Sequence, residues 1–110
     1  MRKTAGEPME HRLATEAEGY GILERYGIPV PQYRVAKDAD EAVAAADAIG
    51  YPVVLKVISR QIVHKSDAGG VVLAVNDPAG VRAAFDRILA GARAFDPAAV
   101  VDGVMVEQQL

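Results

Sequence analysis

The sequence predicts an α+β fold: a mainly antiparallel sheet with helices packed on one face. One observation is four runs with strand character, near residues 32–36, 53–58, 71–75 and 104–109, of which the two middle ones are mainly apolar and rich in β-branched residues. A second is that capped, alanine-rich or amphipathic segments separate these runs and have helix character. A third is that a polar loop ending in two glycines joins the two middle runs, as in a hairpin.

The composition is that of one small domain and excludes several classes of protein. With 110 residues, 51% of them hydrophobic, and a net charge of −3, the chain can build one core. There is no basic face, so we expect no nucleic-acid partner. Cysteine is absent, which excludes disulfides and thiolate chemistry. No apolar run approaches a membrane span or a signal sequence, so we expect a cytoplasmic location and no membrane partner.

The first part of the chain predicts a flexible lead-in and then a helix. Residues 1–12 are polar and patternless. Thr15 and Glu18 form a capping box that starts the helix. Gly19 and Gly21 weaken this helix unless another element packs closely against it. A connector that contains two prolines then leads to the first strand.

Two further helices have clear start signals. Asp38 is the predicted N-cap of a helix that runs through alanines to Ile49 and ends at Gly50. Asp77 followed by Pro78 starts the other helix. Its apolar positions recur with helical spacing, at Val81, Ala84, Phe85, Ile88 and Ala92.

A single lysine, Lys56, interrupts the second predicted strand. Burying an ammonium without a partner costs several kcal/mol, so its head group should reach a cleft or an anion. The loop that follows supplies groups suited to an anion: a second cation, a hydroxyl, and glycine N–H groups that can approach closely. These residues are Lys65, Ser66, Gly69 and Gly70. The pattern indicates a phosphate site.

The residues alone leave simpler explanations open. A lone lysine in an apolar strand often extends its head group from the edge of a sheet, and a Gly-Gly pair often only turns a hairpin. The loop matches neither the GxxxxGK[ST] phosphate loop nor the GxGxxG dinucleotide fingerprint. An anion-binding hairpin and a purely structural one therefore remain alternatives.

Because the chain stops at Leu110 in a strand that has only just begun, we expect it to be the first part of something larger.

Several segments together resemble a known family. They are YGIPVP (26–31), EAVAAADAIGYPVVLKV (41–57), IVHKSDAGGV (62–71) and GVMVEQ (103–108). The pattern resembles the nucleotide-binding subdomain of the ATP-grasp fold, and more narrowly the ATP-grasp subunit or domain of ADP-forming acyl-CoA synthetases, such as the acetate–CoA ligases. It makes residues 13–110 a partial ATP-grasp domain whose second lobe is missing.

The resemblance implies roles for individual residues. Lys56 contacts ATP phosphates, and the loop with Lys65, Ser66, Gly69 and Gly70 lies over them. The adenine hinge is formed by Glu107, Gln108, Gln109 and Leu110. His64 either becomes a second phosphohistidine beside the nucleotide or only hydrogen-bonds a phosphate; both remain open.

The reaction that the resemblance implies is acid + CoA + ATP ⇌ acyl-CoA + ADP + phosphate, by way of an acyl phosphate and a phosphohistidine. The expected cofactors are ATP or ADP and Mg²⁺, whose ligands belong to the second lobe, so no metal ligand is assigned here. The expected partner is a CoA-binding subunit or domain, and the isolated chain should have little or no ligase activity. Another ATP-grasp ligase, such as a succinyl-CoA synthetase-like β subunit, and a non-catalytic remnant that binds a nucleotide or a partner are the alternatives.

Overall fold

The structure is a computed structural model that describes residues 16–62 and 69–110. These residues form α1 (Glu16–Arg25), β1 (Tyr33–Ala36), α2 (Ala39–Ile49), β2 (Val53–Ile58), β3 (Val71–Val75), α3 (Pro78–Phe95) and β4 (Gly103–Gln108). The predicted α+β class is confirmed, and the strands lie within a residue of the predicted runs. The expected lead-in over residues 1–12 and the capping residue Thr15 lie outside the described residues.

The four strands form one antiparallel sheet in the order β1-β4-β2-β3. The last strand along the chain, β4, therefore lies inside the sheet between β1 and β2. Since β2 is flanked by β4 and β3, it is an interior strand as well. The two edges are β1 and β3.

The core lies between the sheet and the helices α2 and α3. Val53, Leu55 and Val57 alternate along β2 toward this face and have no exposed surface. From the helices, α2 contributes small alanines and α3 contributes larger side chains such as Ile88. Each fully buried large aliphatic side chain stabilises the fold by about 1.5–3 kcal/mol.

Both predicted N-caps are confirmed. A carboxylate oxygen of Asp38 accepts the backbone N–H of Glu41 at 2.8 Å, and one of Asp77 accepts the N–H of Gly80 at 2.7 Å. Pro78 occupies the first turn of α3. Each cap satisfies a helix N–H that has no partner within the helix.

The edge strand β3 contains an irregularity that the sequence does not predict. Its pairing with β2 shifts register between Val53 and Leu55, and Ala74 has a φ of 55°. The side-chain oxygen of Gln109 accepts the N–H of Ala74 at 2.6 Å, and the amide of Asn76 donates to the Ala74 carbonyl at 2.9 Å. Bulges of this kind are common on edge strands and discourage further pairing there.

In the ranges that the structure describes, no helix has the length and apolar character needed to cross a membrane.

Candidate functional site

Lys56 lies on the face of the sheet that α2 and α3 do not cover. Strand alternation places Val54, Lys56 and Ile58 on this face, whereas their neighbours in β2 belong to the core. The alternative in which the lysine extends from a sheet edge is wrong, because β2 has strands on both sides.

The ammonium of Lys56 meets a carboxylate of its own chain. Its Nζ is 3.1 Å from Oε1 of Glu107 on the adjacent strand β4. Since Lys56 pairs directly with Met105 and Val54 with Glu107, the two charges are diagonal neighbours within reach of long side chains. The lysine side chain is 22% exposed and that of Glu107 is 10% exposed, so the pair opens to the surface on the lysine side.

The carboxylate of Glu107 is incompletely satisfied. Its Oε1 is buried and accepts no hydrogen bond from the described residues, although Nζ of Lys56 lies at ion-pair distance. Nζ of Lys56 is close enough to Oε1 for an ion pair but is not aligned with it for a hydrogen bond. A buried acceptor without a hydrogen bond costs about 1–3 kcal/mol. Glu107 therefore has the capacity to accept a further donor.

Apolar side chains surround the pair, and α1 borders it. Val54 and Met105 are 5% and 0% exposed. Tyr33 of β1 pairs with Glu107, and its ring meets that of Tyr20 in α1 edge-on, with 5.0 Å between centroids. Burial and a hydrogen bond to the carboxylate of Glu24 raise the pKa of Tyr33.

The end of the β2–β3 loop adjoins Lys56. Val71, the first residue of β3, pairs with Lys56, so Gly70 immediately precedes the position opposite the lysine. The carbonyl of Gly70 accepts the N–H of Val57 at 2.7 Å, and Gly69 has a φ of 68°, which favours glycine. Gly69 and Gly70 therefore lie next along the chain to the residue that pairs with Lys56. His64, Lys65 and Ser66 lie outside the described residues.

Of the four predicted hinge residues, Glu107 points toward Lys56 and the others lie elsewhere. The side-chain oxygen of Gln108 accepts the N–H of Gln32 at 3.3 Å, and that of Gln109 accepts the N–H of Ala74. Both side chains therefore support the ends of edge strands. Leu110 is 92% exposed.

Two concavities in the described part of the chain lie away from the pair. One, of about 350 Å³, lies between β3 and α3 and is lined by residues that include Leu73, Asp77 and Arg87. The other, of about 450 Å³, is lined by residues that include Glu24 and Arg34. Neither is lined by Lys56 or Glu107. The candidate site is thus the Lys56–Glu107 pair on the side of the sheet opposite α2 and α3, and it is identified by its charges.

The residues described do not fit a metal site. Across ranges 16–62 and 69–110, no three or more His, Asp or Glu side chains converge in a way that could hold a metal ion. We therefore assign no metal ligand in these ranges and derive no step through a metal.

An antiparallel α+β layer that carries a lysine on an interior strand beside a diglycine turn agrees with one family of nucleotide-binding domains. The chain belongs to the ATP-grasp domain family, whose model matches residues 7–110. It is 46% identical over 101 residues to the β subunit of ADP-forming acetate–CoA ligase I from Pyrococcus furiosus. The matched residues make up 92% of this chain and 44% of that subunit. The resemblance to ADP-forming acyl-CoA synthetases is thereby confirmed.

Solved structures agree with this relationship. Acetyl-coenzyme A synthetase 1 from Candidatus Korarchaeum cryptofilum, in complex with coenzyme A and Ca-AMPCP, matches with a TM-score of 0.86 and 39% identity, covering 88% of this chain and 42% of that one. A second structure of this synthetase, with coenzyme A and Mg-AMPPCP, has its phosphohistidine segment pointing towards the nucleotide binding site. It matches with a TM-score of 0.67 and 35% identity, covering 86% of this chain and 37% of that one. The chain spans less than half the length of each of these relatives.

Proposed function

We propose that this chain is the nucleotide-binding part of an ADP-forming acyl-CoA synthetase, an enzyme that interconverts acid, CoA and ATP with acyl-CoA, ADP and phosphate through an acyl phosphate and a phosphohistidine. The observation that carries this proposal is Lys56, which lies on an interior strand beside the Gly69–Gly70 turn with a side chain that is 22% exposed. Its relatives in sequence are named as ligases of this type.

In this proposal the chain supplies positioning and charge. Phosphoryl transfer depends mainly on holding the reacting groups in place and neutralising the charge of the phosphate oxygens. Lys56 provides a cation, and the N–H groups of Gly69 and Gly70 provide donors. Lys65 and Ser66 add a second cation and a hydroxyl, and His64 accepts a phosphoryl group or orders the phosphate by hydrogen bonding.

Adenine would be held by the segment 107–110. In this proposal the backbone of Glu107, Gln108 and Gln109 reads the edge of the base, and Leu110 provides an apolar wall.

The remaining parts of the enzyme lie outside this chain in our proposal. The magnesium ligands come from the second ATP-grasp lobe; the related synthetase that holds Mg-AMPPCP supports a need for this ion. The CoA site and the main phosphohistidine belong to a partner subunit or domain, and the complete enzyme is cytoplasmic.

The test is removal of the lysine charge. Lys56→Ala should weaken ADP binding by this chain roughly 10- to 100-fold, because a charge-assisted hydrogen bond contributes about 1.5–3 kcal/mol. The measurement is titration calorimetry with ADP at fixed ionic strength. Arg93→Ala, which removes a positive charge from the exposed side of α3, is the control and should change the affinity less than twofold. Equal ADP affinity in wild type and Lys56→Ala would favour the non-catalytic remnant.

A further inference from the structure

The ion pair with Lys56 leaves the carboxylate of Glu107 only partly compensated. A charge pair taken out of water offsets its desolvation only when its remaining lone pairs also find hydrogen bonds. Oε1 of Glu107 is buried and accepts none from the part of the chain that the structure describes. Its neighbours Val54 and Met105 are apolar and offer it no side-chain donor.

The position of Glu107 bears directly on any anion that approaches Lys56. Nζ lies 3.1 Å from the carboxylate, so the charge of the ammonium is already compensated on that side. The lysine is the more exposed partner, and a phosphate that reaches it from its exposed side also comes close to Glu107. In these apolar surroundings both the attraction to the ammonium and the repulsion from the carboxylate are stronger than in water.

We propose that Glu107 is a specificity-determining residue that competes with phosphate groups for Lys56 and so disfavours inorganic polyphosphates as ligands. This inference rests on the proposed function. A ligand that draws the ammonium away leaves a buried carboxylate in need of a donor. A nucleotide carries N–H and O–H donors as well as phosphates and can compensate for that loss. A fully ionised polyphosphate carries only acceptors and cannot.

Neutralising Glu107 should strengthen the binding of a polyphosphate and not weaken it. Glu107→Gln removes the competing charge while keeping the shape of the side chain, so tripolyphosphate should bind this chain about tenfold more tightly, equivalent to about 1.4 kcal/mol. The affinity for ADP should rise by a smaller factor. General structural damage would weaken the binding of both ligands, so a selective gain for tripolyphosphate identifies a positioning role exerted through Lys56.

The experiment is calorimetric titration of the chain with sodium tripolyphosphate and with ADP at one fixed ionic strength. The variants are Glu107→Gln, Lys56→Gln and the double variant, and circular dichroism checks that each is folded. Glu107→Met, which suits the apolar neighbours, serves if the glutamine variant does not fold. Asp86→Asn on the exposed side of α3 makes the same change in net charge and should alter the affinity for tripolyphosphate less than twofold.

The proposal is supported if Glu107→Gln tightens tripolyphosphate binding and this gain disappears in the Lys56→Gln background. It is overturned if the charge-neutral variant binds tripolyphosphate no better than wild type, if the gain survives without the lysine, or if Asp86→Asn reproduces it. Loss of ADP binding in Lys56→Gln together with no gain in Glu107→Gln would leave the proposed function intact and reject only this inference. Unchanged ADP binding in Lys56→Gln would reject the proposed function itself.

Discussion

Gly103 begins β4 at a point where a side chain would meet a neighbouring backbone. Its φ is 157°, and a Cβ added there would lie 2.9 Å from the carbonyl oxygen of Ala36 and 3.0 Å from a methyl group of Val35. Gly103→Ala should therefore lower the free energy of unfolding by roughly 2 kcal/mol or more, measured by urea denaturation. Gly21→Ala in α1, where no described atom lies within 4 Å of the added Cβ, should instead raise it by about 0.5–1 kcal/mol. Equal effects of the two substitutions would contradict this account.

At the scale of residues, the sequence identifies Lys56 but not its partner. A charge in an apolar run stands out because burying it is costly, and this holds for any fold. Finding Glu107 requires the strand order, which depends on contacts between distant parts of the chain. The available signal was that Glu107 is likewise the one charged residue in the apolar run of β4. Two such charges in different strands are candidates for a cross-strand pair.

The N-terminus of α3 offers a test at the scale of an element. Asp77→Ala removes the side-chain acceptor that holds the N–H of Gly80 and should destabilise the protein by about 1 kcal/mol. The midpoint of urea unfolding should fall without a change in its slope. Asp86→Ala, further along the exposed side of the same helix, is the matched control and should have an effect within about 0.5 kcal/mol. If both variants unfold alike, the cap does not stabilise α3.

At the scale of elements, the helix starts were predictable and the bulge was not. Asp38 and Asp77 act through hydrogen bonds to residues three positions on, so a short stretch of sequence contains the whole signal. The conformation of Ala74 is different, because a positive φ is unfavourable for alanine and nothing nearby in sequence favours it. Gln109, which accepts its N–H, lies 35 residues further along the chain, so no short stretch of sequence contains this signal.

For the molecule as a whole, we expect little or no catalysis by the chain in isolation. ATP-grasp enzymes hold the nucleotide between two lobes, and this chain covers 44% of the related acetate–CoA ligase β subunit. Without the second lobe, neither alignment nor metal binding is complete. A coupled assay with acetyl-CoA, ADP and phosphate should give no ATP above background. A polypeptide that also carries the second lobe is the positive control. ATP formation by the shorter chain at a rate comparable with that control would contradict the prediction.

For the whole molecule, the fold class and the family could be predicted from the sequence, but the order of the strands in the sheet could not. Periodicity distinguishes strands from helices, and the segments around Lys56 carry the resemblance. Strand order depends on which edges remain available once the helices have packed, and no single segment records that choice. The face on which Lys56 and Glu107 meet was equally hidden, because it follows from the pairing of β2 with β4.

The interior position of β4 has a consequence for how the protein is made. Of the three strand pairings, only the β2–β3 hairpin can form while the ribosome is still translating the codons for α3. The other two wait for β4, and β1 must remain unpaired until that strand has emerged. Such delayed, long-range closure is slow and exposes apolar strands of the nascent polypeptide. Loss of residues 103–108 would therefore remove the strand that joins the two halves of the sheet.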